Sequence, residues 1–185
     1  MDDQGKSQEI DEDAELMLRV KDGDDSAFAR LVERHQKPLL NFFHRLCVNT
    51  TDAEDMAQQT FIRLYRYRST YEKTAKFTTY LYLLARQVRV DEVRKLIRLQ
   101  KIRDGVKAEV ELRESLPQKE EPFGLADDLQ AALAQLSEAH REVVVLGMLQ
   151  ELPYQEVAEI LGVPVGTVKS RMHHALRELK VLLEK

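Results

Sequence analysis

Two clusters of side chains could do chemistry in this chain, and in both the chemistry is recognition of a polyanion. The stretch KFTTYLYLLARQVRVDEVRK, Lys76 to Lys95, sets Tyr80 and Tyr82 among Arg86, Arg89 and Arg94, with Arg98 following. Bases stack on aromatic rings while cations follow phosphates, so this mixture suits a single nucleic-acid strand. A plain helix with rings inside and charges in water would use the same residues. Phe77, Leu81, Leu84 and Val88 recur at helical spacing and are assigned to a core, whereas Tyr80 and Tyr82 are expected to point elsewhere and the arginines to sit on exposed turns. The second cluster is Thr167, Ser170, Arg171, His174 and Arg177, which fall on one helical face. Short hydroxyls and an arginine near a helix start suit the major groove, where Arg binds guanine twice and hydroxyls take phosphates. Lys169 beside them is assigned to phosphate.

Covalent chemistry is not indicated. The chain has no phosphate-cradling glycine loop and no nucleophile elbow, and its carboxylates crowd into the N-terminal segment and a stretch after residue 103. His44 and Cys47 would give two of the four ligands of a structural zinc site, without a second pair. His173 and His174 are adjacent and face different ways. No catalytic residue, metal or cofactor is expected, and no enzyme activity.

These clusters need helices to position them. Leu16 and Val20; Phe28, Leu31 and Val32; Leu39, Phe42, Phe43 and Leu46; Met56, Phe61 and Leu64 repeat at intervals of three and four, and no stretch alternates as a strand does. The fold is expected to be all-α. In NTTDAEDM, Thr51 or Asp52 is the expected helix cap, followed by acids that suit the helix dipole; YRSTYEKTAKF reads as a loop. Residues 104–124 carry Pro117, Pro122 and two glycines among acids, the composition of a tether. The expected organisation is an acidic tail (1–13), a helical domain (14–103), a linker (104–124) and a second helical domain (125–185). In the second domain Leu125, Leu129, Leu133 and Leu136 form a stripe, and Ser137 is expected to cap the next helix.

Charge is segregated although the total is −4. Residues 63–103 hold twelve basic and three acidic residues, while 1–33 hold four and eleven. A basic block between acidic ones fits a polyanion partner. The opening MDDQGKSQEIDEDAE lacks the apolar core of a signal peptide, the single cysteine suits a reducing compartment, and no apolar run nears the roughly 18 residues of a membrane span. A cytoplasmic location is expected, without membrane insertion.

The most specific stretch is YQEVAEILGVPVGTVKSRMHHALREL. Ala158 lets two helices cross closely, Gly162 supplies a left-handed residue at the end of one, and Pro164 starts the next. This is a helix-turn-helix pattern. From EAHREVVVLGMLQ onward the segment resembles region four of the extracytoplasmic-function sigma factors of bacterial RNA polymerase. DAEDMAQQTFIRLYRY and KFTTYLYLLARQVRVDEVRK are similar to region two of the same family, in the same order and with a variable linker between. A stand-alone helix-turn-helix regulator and a helical adaptor that binds only protein are the competing readings.

The resemblance implies an alternative sigma factor that binds core polymerase, recognises −35 and −10 promoter elements and assists strand opening. By resemblance, Asp55, Gln58, Gln59, Phe61 and Tyr65 face the β′ clamp helices, with Gln59 replacing a frequent glutamate. Region four implies contact with the β flap. The loop from Ser69 to Lys76, with Thr70, Tyr71 and Lys73, would pocket a base flipped from the −10 element. Tyr80, Arg86, Gln87, Arg89 and Arg94 would hold the displaced strand. Leu83 and Leu84 align with a tryptophan pair of primary sigma factors. Thr167, Lys169, Ser170, Arg171, His174 and Arg177 would read the −35 duplex. The family also implies an anti-sigma factor as partner.

Overall fold

The computed structural model describes residues 11–46, 50–103 and 127–184. Among them no strand occurs. The chain forms α1 (Glu12–Lys21), α2 (Asp25–Leu46), α3 (Thr50–Arg66), a 3-10 turn (Arg68–Thr70) and α4 (Phe77–Arg103). After residues 104–126 come α5 (Asp127–Gln135), α6 (Glu138–Val144), a π-helical turn (Val145–Leu149), α7 (Tyr154–Leu161) and α8 (Val165–Leu183). The linker expected at 104–124, most of the acidic tail, Leu125 and Cys47 lie outside the described residues.

Local chemistry sets the boundaries. Asp11 accepts from the Ala14 N–H at 3.1 Å and caps α1. Its second oxygen accepts from the Phe77 N–H at 2.7 Å, so the same carboxylate serves the first turn of α4. Free N–H groups at a helix start need such acceptors. Ser137 caps α6 as expected, accepting from the His140 N–H at 3.3 Å. Helix α3 begins at Thr50, so Thr51 and Asp52 lie within its first turn rather than ahead of it. Gly162 ends α7 with φ 67°, a left-handed conformation that costs glycine nothing.

Packing follows the apolar stripes. Helices α1 to α4 enclose Leu31, Leu39, Phe42, Phe43, Leu64, Phe77 and Leu81, all almost inaccessible. Helices α5 to α8 enclose Leu133, Leu146, Val157, Val168 and Met172. At Gly147, in the π turn, an added Cβ would stand 2.7 Å from the Met172 methyl, so this glycine lets α8 close on the turn. The two groups of helices also touch: α4 packs on α7, and α2 meets α5 and the π turn.

Candidate nucleic-acid interface

The loop before α4 takes its shape from α1. Lys21 Nζ donates to the Tyr71 carbonyl at 2.8 Å, and Lys73 pairs with Glu15 at 2.6 Å. Tyr71 is 2% exposed, and its ring packs 5.1 Å from that of Tyr80. Burial pushes the Tyr71 hydroxyl up to about 12. Tyr71 was expected among the base-contacting residues; its ring instead forms the floor of the loop, because an aromatic ring flanked by polar residues is the one group there that gains from leaving water. Ser69 and Thr70 remain exposed.

The two tyrosines of α4 are likewise drawn toward the core, contrary to expectation, while Phe77 is buried as expected. Tyr82 is 4% exposed, packs edge-on against Phe42 at 5.1 Å and donates its hydroxyl to Gln150 Oε1. Tyr80 is half-buried, and burial raises its hydroxyl. A phenol can bury its ring and still satisfy its O–H, which is why spacing alone misplaced Tyr82. The ring left open beside the loop is Tyr67, 49% exposed. Sequence reasoning missed it, and its place at the loop edge was the available signal.

The cations of this stretch are engaged by carboxylates. Lys76 lies 3.2 Å from Glu156 of α7, Arg86 Nε 3.6 Å from Glu142 of α6, and Arg89 2.6 Å from Glu138 and 3.5 Å from Glu142. Arg89, expected on an exposed turn, is buried at 8%, because α6 covers it. Arg94 and Gln87 are exposed and line one cleft with Arg63, Arg86, Val90 and Asp91. Arg63 pairs with Asp91 at 2.7 Å, and Arg98 is exposed. Leu84 is buried and Leu83 half-buried.

On α8 the expected face is open. Lys169, Ser170, His174 and Arg177 are exposed, while Thr167 and Arg171 are half-buried. Val168, Met172, Ala175 and Leu179 are buried on the opposite side. His140 of α6 stacks with His174, ring centroids 6.3 Å apart.

A third surface lies between α2 and α3. Phe28, Val32, Gln58, Phe61, Ile62, Tyr65 and Arg66 line an apolar groove. Asp55, Gln58 and Gln59 are exposed, but Phe61 is only 9% exposed and forms the floor rather than a projecting anchor. Tyr65 packs on Phe28 at 4.9 Å, lies under the Arg68 guanidinium and donates to Asp25 at 2.9 Å. Helix α2 covers these two rings, and periodicity on α3 alone does not reveal which flank its neighbour takes. Ile62, 40% exposed, is the projecting apolar group that sequence reasoning overlooked.

Among the described residues, no group of three or more His, Cys, Asp or Glu could hold a metal, and no helix is long and apolar enough to cross a membrane.

Comparison with known proteins gives these surfaces a common setting. Residues 31–98 match the Sigma-70 region 2 family, and residues 126–179 match Sigma-70, region 4. Two such regions in this order define a sigma factor. The chain is 32% identical over 184 residues to the ECF RNA polymerase sigma factor SigW of Bacillus subtilis, covering 90% of this chain and 96% of that one. It is 35% identical over 160 residues to the ECF sigma factor SigE of Mycolicibacterium smegmatis, covering 84% and 61%. Its fold is similar to the sigma factor RpoE of Bartonella quintana, solved in complex with the anti-sigma factor NepR: TM-score 0.73, 27% identity, 85% of this chain and 96% of that one. It also resembles CnrH, solved with the cytosolic domain of CnrY, at TM-score 0.69 and 24% identity, covering 93% and 97%. This chain belongs to the extracytoplasmic-function family of RNA polymerase sigma factors, and its function is that of an alternative sigma factor.

Proposed function

We propose that this sigma factor works through the three surfaces described above. The α2–α3 groove, rimmed by Asp55, Gln58 and Gln59 and floored by Phe61 and Tyr65, receives the β′ clamp helices of core polymerase. The loop 69–76 and α4 hold the displaced strand of the −10 element through Ser69, Thr70, Lys73, Lys76, Arg86, Gln87, Arg89 and Arg94. In this reading Tyr71 and Tyr80 shape the loop and do not stack on bases. Helix α8 reads the −35 duplex through Thr167, Lys169, Ser170, Arg171, His174 and Arg177. Residues 14–103 and 125–185 act as separate binding modules tethered by 104–124.

The observation that carries this reading is the presence on one chain of an apolar groove in the region-two match and an open polar helix face in the region-four match. No residue is given a catalytic role: the rings, cations and amides here bind, and strand opening follows from binding the melted state more tightly than the duplex. An anti-sigma factor is proposed as the regulatory partner, because the similar sigma factor RpoE of Bartonella quintana was solved with one.

The test is transcription reconstituted from purified core polymerase, this protein and a set of duplex promoters. Polymerase-dependent initiation at defined start sites is expected. Tight duplex binding by the chain alone, without initiation when core enzyme is supplied, would favour a stand-alone regulator instead.

A further inference from the structure

The strand-binding side proposed above has cations, hydroxyls and an amide but no ring, although stacking on aromatic side chains carries much of the affinity for single strands. Of the five tyrosines between residues 65 and 82, four pack against another ring: Tyr65 on Phe28, Tyr71 and Tyr80 on each other, and Tyr82 on Phe42. Tyr67 is the fifth. It is 49% exposed, and among the described residues its ring has no aromatic partner and its hydroxyl no hydrogen bond. A single exposed ring needs no explanation by itself, but this one is held in place and surrounded by groups that suit a strand. Its N–H donates to the Arg63 carbonyl at 2.9 Å, and its carbonyl accepts from the Thr70 N–H at 3.0 Å and from the Thr70 hydroxyl at 2.8 Å. The ring therefore sits on a pinned turn between α3 and the loop, and a tyrosine has few torsions left to freeze on binding. The bond to Arg63 places Tyr67 one turn beyond that arginine on the same side of α3, and Arg63 lines the cleft with Gln87 and Arg94. Arg66, Ser69 and Thr70, beside it in the chain, are exposed.

We propose that Tyr67 is the stacking platform for one unpaired base of the −10 strand, at the junction of the cleft and the loop. The base displaces water from the open face of the ring, while its flanking phosphates fall to the cations of the cleft. Every base has a π-face, so Tyr67 adds affinity at that position before it adds discrimination, and purines, with the larger face, gain more. This inference rests on the reading of the loop and α4 as the strand-binding side.

The experiment uses holoenzyme assembled from core polymerase and the full chain, with a fluorescein-labelled promoter on which that holoenzyme initiates, its −10 segment pre-melted. Anisotropy reads the affinity, and single abasic sites are placed in turn along the displaced strand. Tyr67→Ala should weaken binding of the intact probe about tenfold, whereas Tyr67→Phe, which keeps the face of the ring, should stay within about twofold of the unmodified chain. At one position the abasic probe should bind the unmodified holoenzyme about tenfold more weakly, and there Tyr67→Ala should cost nothing further. At the other positions the two losses should multiply. No loss on the intact probe, or a loss that persists at every abasic position, would overturn the stacking role. Weaker capture by core polymerase would do the same, by making Tyr67 a polymerase contact. Arg94→Ala tests the reading beneath: if it weakens every probe while Tyr67→Ala weakens none, the strand-binding side stands and only the platform falls. If Arg94→Ala is also without effect, that side falls with it.

Discussion

Residue by residue, spacing predicts a buried side of α8 at Val168, Met172, Leu176 and Leu179 that holds except at Leu176, which is 40% exposed, and it misjudges several rings elsewhere. Val168, Met172 and Leu179 are buried and Lys169, Ser170 and Arg177 exposed, because α8 has one neighbour side and one solvent side. Arg171→Ala should cost about 1–3 kcal/mol on a matched −35 duplex and relax discrimination at one guanine. Lys169→Ala should weaken matched and scrambled duplexes alike and lower the salt slope by about 1. Equal losses on both duplexes for Arg171→Ala would reduce it to a backbone contact. Phe61 and Ile62 should separate stability from binding. Phe61→Ala empties a nearly buried site and should destabilise the fold by about 3 kcal/mol in denaturant titration. Ile62→Ala should change the unfolding free energy by less than about 0.5 kcal/mol while weakening capture by core polymerase by about 2 kcal/mol. Unchanged capture by the Ile62 variant would exclude the groove from polymerase binding.

Among the elements, the helices and the turn at Gly162 were legible because period, caps and a left-handed glycine are local signals. Other features were not. The π turn at Val145–Leu149 arises where Gly147 accommodates Met172 of α8, a meeting of distant residues that no window of sequence contains. The double role of Asp11 was equally hidden, since Phe77 lies 66 residues away. Asp11→Ala leaves two helix starts without an acceptor and should cost about 1–2 kcal/mol. In a chain of this size that lowers the melting temperature by about 2–8 °C. Asp11→Asn, which retains one acceptor oxygen and can cap only one of the two helix starts, should lose less than Asp11→Ala, and the two melting temperatures check this.

For the whole molecule, the sequence revealed a basic block between acidic ones but not which acids would close on it. Glu138 and Glu142 lie four residues apart on α6, and Arg86 and Arg89 three apart on α4, so their match is visible only after folding. Leu84 is buried, so if the resemblance places this pair where primary sigma factors carry two tryptophans, half-buried Leu83 alone is left to meet the upstream base. Leucine offers little ring surface to a base that has lost its stacking partner. Transcription from a duplex promoter should therefore be weaker than from one with a pre-melted −10 segment, and Leu83→Trp should raise only the duplex signal. Alanine at Arg86 should reduce both. Complete rescue of the Arg86 variant by pre-melting would confine it to opening.

The buttressing of the Ser69–Lys76 loop has an evolutionary consequence. Lys21, Glu15 and Asp11 reach the Tyr71 carbonyl, Lys73 and the Phe77 amide across 50, 58 and 66 residues of chain. The mould for the loop is thus written in α1, which has no proposed contact with DNA or polymerase. With the loop holding a base as proposed above, substitutions there would tilt it and shift which base it prefers while every DNA-facing side chain stays the same. Divergence of promoter preference among relatives can therefore be stored in a helix that an inventory of DNA contacts would pass over.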